Sequence, residues 1–245
     1  MKFTSIALIF LSSYSESQTA YHGTTIAFVR TKDTIIVAAD TKERMQGNSS
    51  HPFDLSRSIN KIHVKGEIAF AVAGLSAYSS THYDAYKIIE AAIARYPNIL
   101  DVSSYLLDNF TDSLTDTWKY LLRSDPQDDF ANRGVRVMFF GFNRDTATVI
   151  YQEYLPTKQG RYAISWTPHA GFAPSGGRDD STYSGVLSSS PITEDSVRTF
   201  RYLRTSNPKE YARRIVQKAI LLDSLNNGNP ITILCLTRNG FNWIK

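Results

Sequence analysis

A threonine can serve as its own catalytic unit at a chain start, where its hydroxyl and a free α-amine share one residue. Thr24, followed by Thr25 and preceded by Gly23, heads the strand-like run TTIAFV, behind a 23-residue leader. Scission between Gly23 and Thr24 would create that pairing of nucleophile and base. A threonine hydroxyl in water is a weak nucleophile and needs an adjacent base. A terminal amine, with a pKa of about 7.7–8.0, suits that task near neutral pH. Gly23 has no side chain, so the peptide before Thr24 can turn tightly and bring its carbonyl over the hydroxyl. Asp40 ends the next strand-like run, DTIIVAAD, and Lys61 opens the following one, KIHVK. A lysine near the hydroxyl favours its ionised form, and an aspartate holds that lysine charged and oriented. Taken singly, each residue also has a structural reading: a strand start, a strand-end turn and a solvated edge lysine.

The elements that must position these residues follow from pattern. TTIAFVR and DTIIVAAD flank a polar Lys32–Asp33 turn and read as a hairpin. Residues 41–58 are polar, with Gly47, Asn48 and Pro52 as breakers, and are expected to form a loop. KIHVK and EIAFAVAG make a second hairpin around Gly66, with AVAG as a small-residue turn. Ala85, Ile88, Ile89, Ala92, Ile93 and Tyr96 share one helical face, and Pro97 ends that helix. A second helix, over about 101–122, places Leu106, Phe110, Leu114, Trp118 and Leu121 on one face. RVMFFGF and ATVIYQEYL pair around Asn143–Asp145, whereas 155–192 is too rich in Gly, Ser and Pro to assign. A short helix is expected over 193–203. Asn207-Pro208-Lys209-Glu210 opens another, with Asn as cap and Pro in the first turn, ending near Asp223. ITILCLTR and FNWIK close the chain as a hairpin. Hairpin-built sheets with helices outside describe an α+β protein, since the alternating β-α repeats of a parallel sheet are absent.

Composition narrows the function classes. The 245 residues are 42% hydrophobic, enough for a substantial core, and the net charge is +4. The positive charges are scattered, without a basic stripe interleaved with aromatics, which argues against nucleic-acid binding. The single cysteine, Cys235, excludes an intramolecular disulfide and a cysteine-based metal cluster, and its apolar run predicts a buried thiol. His22, His51, His63, His82 and His169 show no metal-ligand spacing, and no cofactor is expected. Lys2, the apolar stretch Phe3 to Leu11 and the small polar tail up to Ala20 have the layout of a secretory signal. That stretch falls short of the ~20 apolar residues of a membrane span. A propeptide with an apolar start is the other reading; export, periplasmic or extracellular, is expected, with a cytoplasmic location as the alternative, and the sequons at Asn48 and Asn109 matter only where the source glycosylates exported proteins.

HGTTIAFVR…TIIVAADTK, a lysine opening the next strand, and AVAG resemble the proteasome β-type threonine peptidases, of the N-terminal-nucleophile (Ntn) hydrolases. The Thr24 to Asp40 spacing matches that family. The tail ARRIVQKAILLDSLNNGNPITILCLTRNGFNWI is similar to the family's last helix, Asp-x-x-Ser-Gly turn and final hairpin. The resemblance covers most of 23–90 and 208–245. It implies a four-layer αββα sandwich of two antiparallel sheets over 24–245, with 1–23 as signal peptide, propeptide or both. It also implies assembly into homo-oligomeric stacked rings and a peptide or unfolded-protein substrate.

On that resemblance Thr24 is the nucleophile, Asp40 and Lys61 its electrostatic support, and the Gly74 N–H the oxyanion donor. Asp223 would brace the nucleophile. Asn226 stands where a serine is expected, and Ser175 in PSGG would match a second supporting serine. Glu43 and Arg44 replace small residues past the aspartate, and Val72 and Ser76 would flank the substrate pocket. Maturation would be attack of the Thr24 hydroxyl on Gly23, an ester shift, then hydrolysis. Two other readings share the fold: an amidohydrolase acting on a small amide, and a ring subunit that never processes.

Overall fold

The runs from Thr25 to Ala39 alternate toward two different cores, and that alternation explains the stacking of the whole molecule. A computed structural model describes residues 19–22, 24–46, 55–124, 134–156, 162–169, 182–188, 194–225 and 227–244. In chain order these form β1 (Thr19–His22), β2 (Thr25–Arg30), β3 (Thr34–Ala39), β4 (Lys42–Gln46), β5 (Leu55–Ser58), β6 (Ile62–Lys65), β7 (Ile68–Tyr78) and β8 (Tyr83–Asp84). Helices α1 (Ala85–Arg95) and α2 (Ile99–Ser124) follow, then β9 (Val135–Asn143), β10 (Thr146–Pro156), β11 (Tyr162–His169) and β12 (Tyr183–Ser188). Helices α3 (Glu194–Thr199), α4 (Leu203–Ser206) and α5 (Pro208–Leu222) precede the last strands, β13 (Thr232–Thr237) and β14 (Gly240–Ile244).

Among the described residues the strands form two antiparallel sheets. The larger runs β11-β10-β9-β7-β1-β4-β5, with β6 and β8 also paired to β7; the smaller runs β12-β2-β3-β13-β14. Ile26, Phe28, Val37 and Ala39 of the small sheet meet Ala69, Ala71, Ala73, Met138 and Phe140 of the large one in a core between the sheets. The opposite face of the small sheet, through Ala27, Val29 and Ala38, packs on Tyr211, Ala212, Ile215 and Val216 of α5. Val72, Val137 and Phe139 of the large sheet pack on α1 and α2. The molecule is therefore α+β, with an order of layers compatible with a helix–sheet–sheet–helix sandwich.

The helices obey their sequence signals. Along α2, Val102, Leu106, Phe110, Leu114, Trp118 and Leu121 are buried at spacings of three or four, the stripe of a 3.6-residue period. Asp84 caps α1 by accepting from the Lys87 N–H, and Asn207 caps α5 by accepting from the Glu210 N–H with Pro208 directly behind it. The helix expected over 193–203 is instead two short pieces, α3 and α4. Among the described residues no helix is long and apolar enough to cross a membrane.

Three expectations need correction. Residues 42–46 and 55–58, read as loop, are the strands β4 and β5. Their KERMQ and LSRS sequences carry no apolar alternation that would have marked them; β4 pairs with the leader strand and β5 with β4. Residues 19–22, the end of the expected leader, form β1, inserted between β4 and β7. AVAG is not a turn: β7 runs through it for 11 residues and absorbs the bend at Gly74, whose φ is +87°. A Cβ there would overlap the Gly134 carbonyl oxygen, so glycine is needed for conformation and for space. Cys235 is half-buried rather than enclosed, on the face of β13 opposite to the inter-sheet core that takes Leu234 and Leu236.

His63, on β6, stacks on Tyr86 at 4.2 Å and Phe70 at 5.4 Å between ring centroids. Burial pulls its pKa below the ordinary 6.5, against the opposing pull of Glu90, a hydrogen bond at Asn60, and Asp84. The unfolded chain therefore binds this proton more readily than the folded one, and stability falls as pH drops below that value. Thermal unfolding followed from about pH 7.5 to 5 should show a steeper fall for wild type than for His63→Phe, which keeps the stack without titrating. Equal slopes would remove His63 as the source.

Candidate active site

Asp40 follows the last residue of β3 and is 0% exposed, as is Lys61 just ahead of β6. The Lys61 ammonium donates to both carboxylate oxygens at 2.9 Å. A solvated edge lysine is thereby ruled out. Backbone N–H groups complete the carboxylate's shell: Thr25 donates to Oδ1 at 2.8 Å, while Lys42 and Gly228 donate to Oδ2 at 3.1 and 3.2 Å. An ionised carboxylate with this many donors is well satisfied despite burial. Burial pulls the Lys61 pKa below its ordinary 10.5, and Asp40, then Glu43, oppose the drop.

This pair sits one residue away from Thr24. The chain leaves the large sheet at His22 and enters the small sheet at Thr25, so Thr24 is the crossing point between the two. Its side chain is 1% exposed, and its hydroxyl is buried without a hydrogen-bond partner among the described residues. An unsatisfied buried polar group costs about 1–3 kcal/mol, which makes it a candidate for chemistry rather than for support. On the large sheet, Gly74 lies directly across from His22, so the bend of β7 faces the end of the leader strand.

Thr25 is anchored on the other side. Its hydroxyl donates to Asn227 Oδ1 at 2.9 Å and lies 2.6 Å from Ser188 Oγ. A hydroxyl has one proton to give, so Ser188 is the donor in the second contact. Asn227, 1% exposed, is held in turn by the Asp223 carbonyl, which accepts from its backbone N–H at 3.0 Å and its Nδ2 at 3.3 Å. Lys42 Nζ donates to the Ser224 carbonyl at 2.7 Å, and Thr41 N–H to the Gly228 carbonyl at 3.1 Å. Residues 40–42 are thus laced to the turn after α5.

The structure therefore gathers Thr24, Asp40, Lys61, Gly74 and, through its carbonyl, Asp223. Gly23, Ser175 and Asn226 lie outside the described residues. Glu43 is 3% exposed and close enough to act electrostatically on Lys61; Val72 and Ser76 are buried on β7. Sequence reasoning missed Thr25, Ser188 and Asn227 as a group. A signal for Asn227 existed: counting back from Gly228 in the Asp-x-x-Ser-Gly pattern places the polar residue at 227, whereas counting forward from Asp223 places it at 226. Ser188 had none, being 163 residues from its partner inside an unassignable stretch. No family model matches the sequence, and no curated protein does.

Removing one member of a buried ion pair is far costlier than the pair's net worth, at about 3–5 kcal/mol. Asp40→Ala should fall in that range, because it strips Lys61 of its carboxylate and three backbone donors of their acceptor. Lys61→Met should cost less, since the carboxylate keeps those donors. Urea midpoints of both, in a Thr24→Ala background so that chain length stays constant, check the order; the reverse order would contradict it.

Proposed function

We propose that this protein is a self-processing threonine endopeptidase of the proteasome-like, N-terminal-nucleophile type, activated by cleavage between Gly23 and Thr24. The observation that carries this reading is the buried, unpartnered Thr24 hydroxyl at the crossing between sheets, next to a buried lysine–aspartate pair. The layered order of sheets and helices is compatible with an Ntn-hydrolase sandwich, and the sequence resemblance supports the same assignment and implies ring assembly.

In the uncut chain, the Thr24 hydroxyl attacks the Gly23 carbonyl carbon. The peptide bond gives way to an ester, and the nitrogen gains a proton to become the α-amine. Water then hydrolyses the ester, releasing a Gly23 carboxylate and a free N-terminal threonine. That amine is the base for the next cycle: it takes the hydroxyl proton as oxygen attacks a substrate carbonyl, then delivers it to the leaving nitrogen. Gly74 N–H serves the developing oxyanion. Lys61, held by Asp40, supplies positive charge toward the nucleophile, and Asp40 positions the nucleophile's neighbour through the Thr25 N–H. The Thr25–Asn227–Ser188 chain acts as positioning support for that same strand end.

The leader illustrates how a substrate would lie. β1 is an extended segment flanked by β4 and β7, running straight toward Thr24. A peptide in that lane would gain main-chain hydrogen bonds on both sides, which recognises extended chains rather than folded ones. The class is therefore peptides and unfolded segments.

Intact mass of recombinant protein lacking its first ~18 residues, which retains the leader strand, should show a chain beginning at Thr24. Thr24→Ala should remain uncut, and Thr24→Ser should cut, since a hydroxyl survives. Uncut wild-type chains identical in mass behaviour to Thr24→Ala would sink the catalytic reading.

A further inference from the structure

The leader strand is bound more firmly than a passing substrate needs to be. β1 lies inside the large sheet, not at its edge: Thr19, Ala20 and Tyr21 face Gln46, Met45 and Arg44 of β4, while Thr19 to His22 face Tyr78 to Gly74 of β7. Cutting the bond before Thr24 breaks none of these pairings. The strand order has a second consequence. Among the described residues, β4 and β5 join the large sheet through β1 alone, since β4 pairs with β1 and β5 and neither pairs with β7. Departure of β1 therefore bares two strand edges at once and frees β4–β5 from the rest of that sheet, exposing backbone groups that had partners.

We propose that the severed leader stays in the sheet as a non-covalent strand and blocks the peptide lane until an incoming extended chain displaces it. This rests on the proposed cleavage before Thr24. Cleavage and activation are then two events. The first makes the nucleophile; the second, exchange of one strand for another, opens the lane and re-forms the bridge between β7 and β4. The occupant is this chain's own segment 19–23, and it acts as a competitive inhibitor.

Two measurements test this. In the first, self-cut full-length protein is passed through gel filtration, and the peak is denatured and weighed. The leader fragment should co-elute with the chain starting at Thr24; its absence from the peak would overturn retention. In the second, a chain released directly at Thr24 from an N-terminal fusion is given a synthetic peptide of residues 17–23. The peptide should bind, slow amide exchange in 42–46, and raise KM for a reporter peptide without changing kcat. A version N-methylated at Ala20 and Tyr21 should bind at least about tenfold more weakly, because methylation removes the strand's donors. No binding up to about 1 mM, or equal binding of the methylated peptide, would overturn the proposal. Binding and exchange protection in a chain that hydrolyses nothing would uphold the lane and its occupant while defeating the peptidase assignment. Turnover without peptide binding would do the reverse.

Discussion

Everything around Thr24 depends on one carboxylate. At Asp40 the start of β2, the exit of β3, the entry of β4, the approach to β6 and the turn after α5 all meet, through Thr25, Lys42, Lys61 and Gly228. Backbone donors from three separate segments fix its orientation, and the lysine balances its charge. A surface ion pair would contribute little to stability. Buried, the same pair sets geometry, since neither charge tolerates a partner displaced by much. The cost of enclosing two charges is offset by the hydrogen bonds the carboxylate collects from the backbone.

The setting of Thr24 follows from where the chain crosses between layers. Thr25 is held by side chains from the far end of β12 and the turn after α5, and by the aspartate through its N–H. Thr24 itself is packed but unsatisfied. The strand behind it is paired on both sides, and the hydroxyl at its tip has no hydrogen-bond partner among the described residues.

Much of the fold was legible because apolar residues dominate it. The alternation of β2, β3, β6 and β7 and the stripes of α1, α2 and α5 appear in the sequence as plain periodicity, and the caps at Asp84 and Asn207 follow residue type. What escaped was held together by backbone pairing or by long-range contact. β1, β4 and β5 carry no alternating apolar pattern, and their stability comes from hydrogen bonds to each other. The site divides in the same way. Thr24, Asp40 and Lys61 could be read from spacing near strand ends. Ser188 and Asn227 are 163 and 202 residues from Thr25, and only folding brings them to it. Lys61 shows the limit of residue type, since a lysine in a polar run gives no hint of complete burial.

The crossing at Thr24 also governs where the molecule can be handled. Anything joined to that nitrogen must run out through the space between β4 and β7, so a tag, dye or carrier placed there has to adopt an extended conformation or distort the large sheet. β14 offers the opposite situation. It is the outer strand of the small sheet, with Trp243 44% exposed, and a label near it is three strands away from the one that Thr24 heads. Immobilisation or fluorescence work should start from that edge.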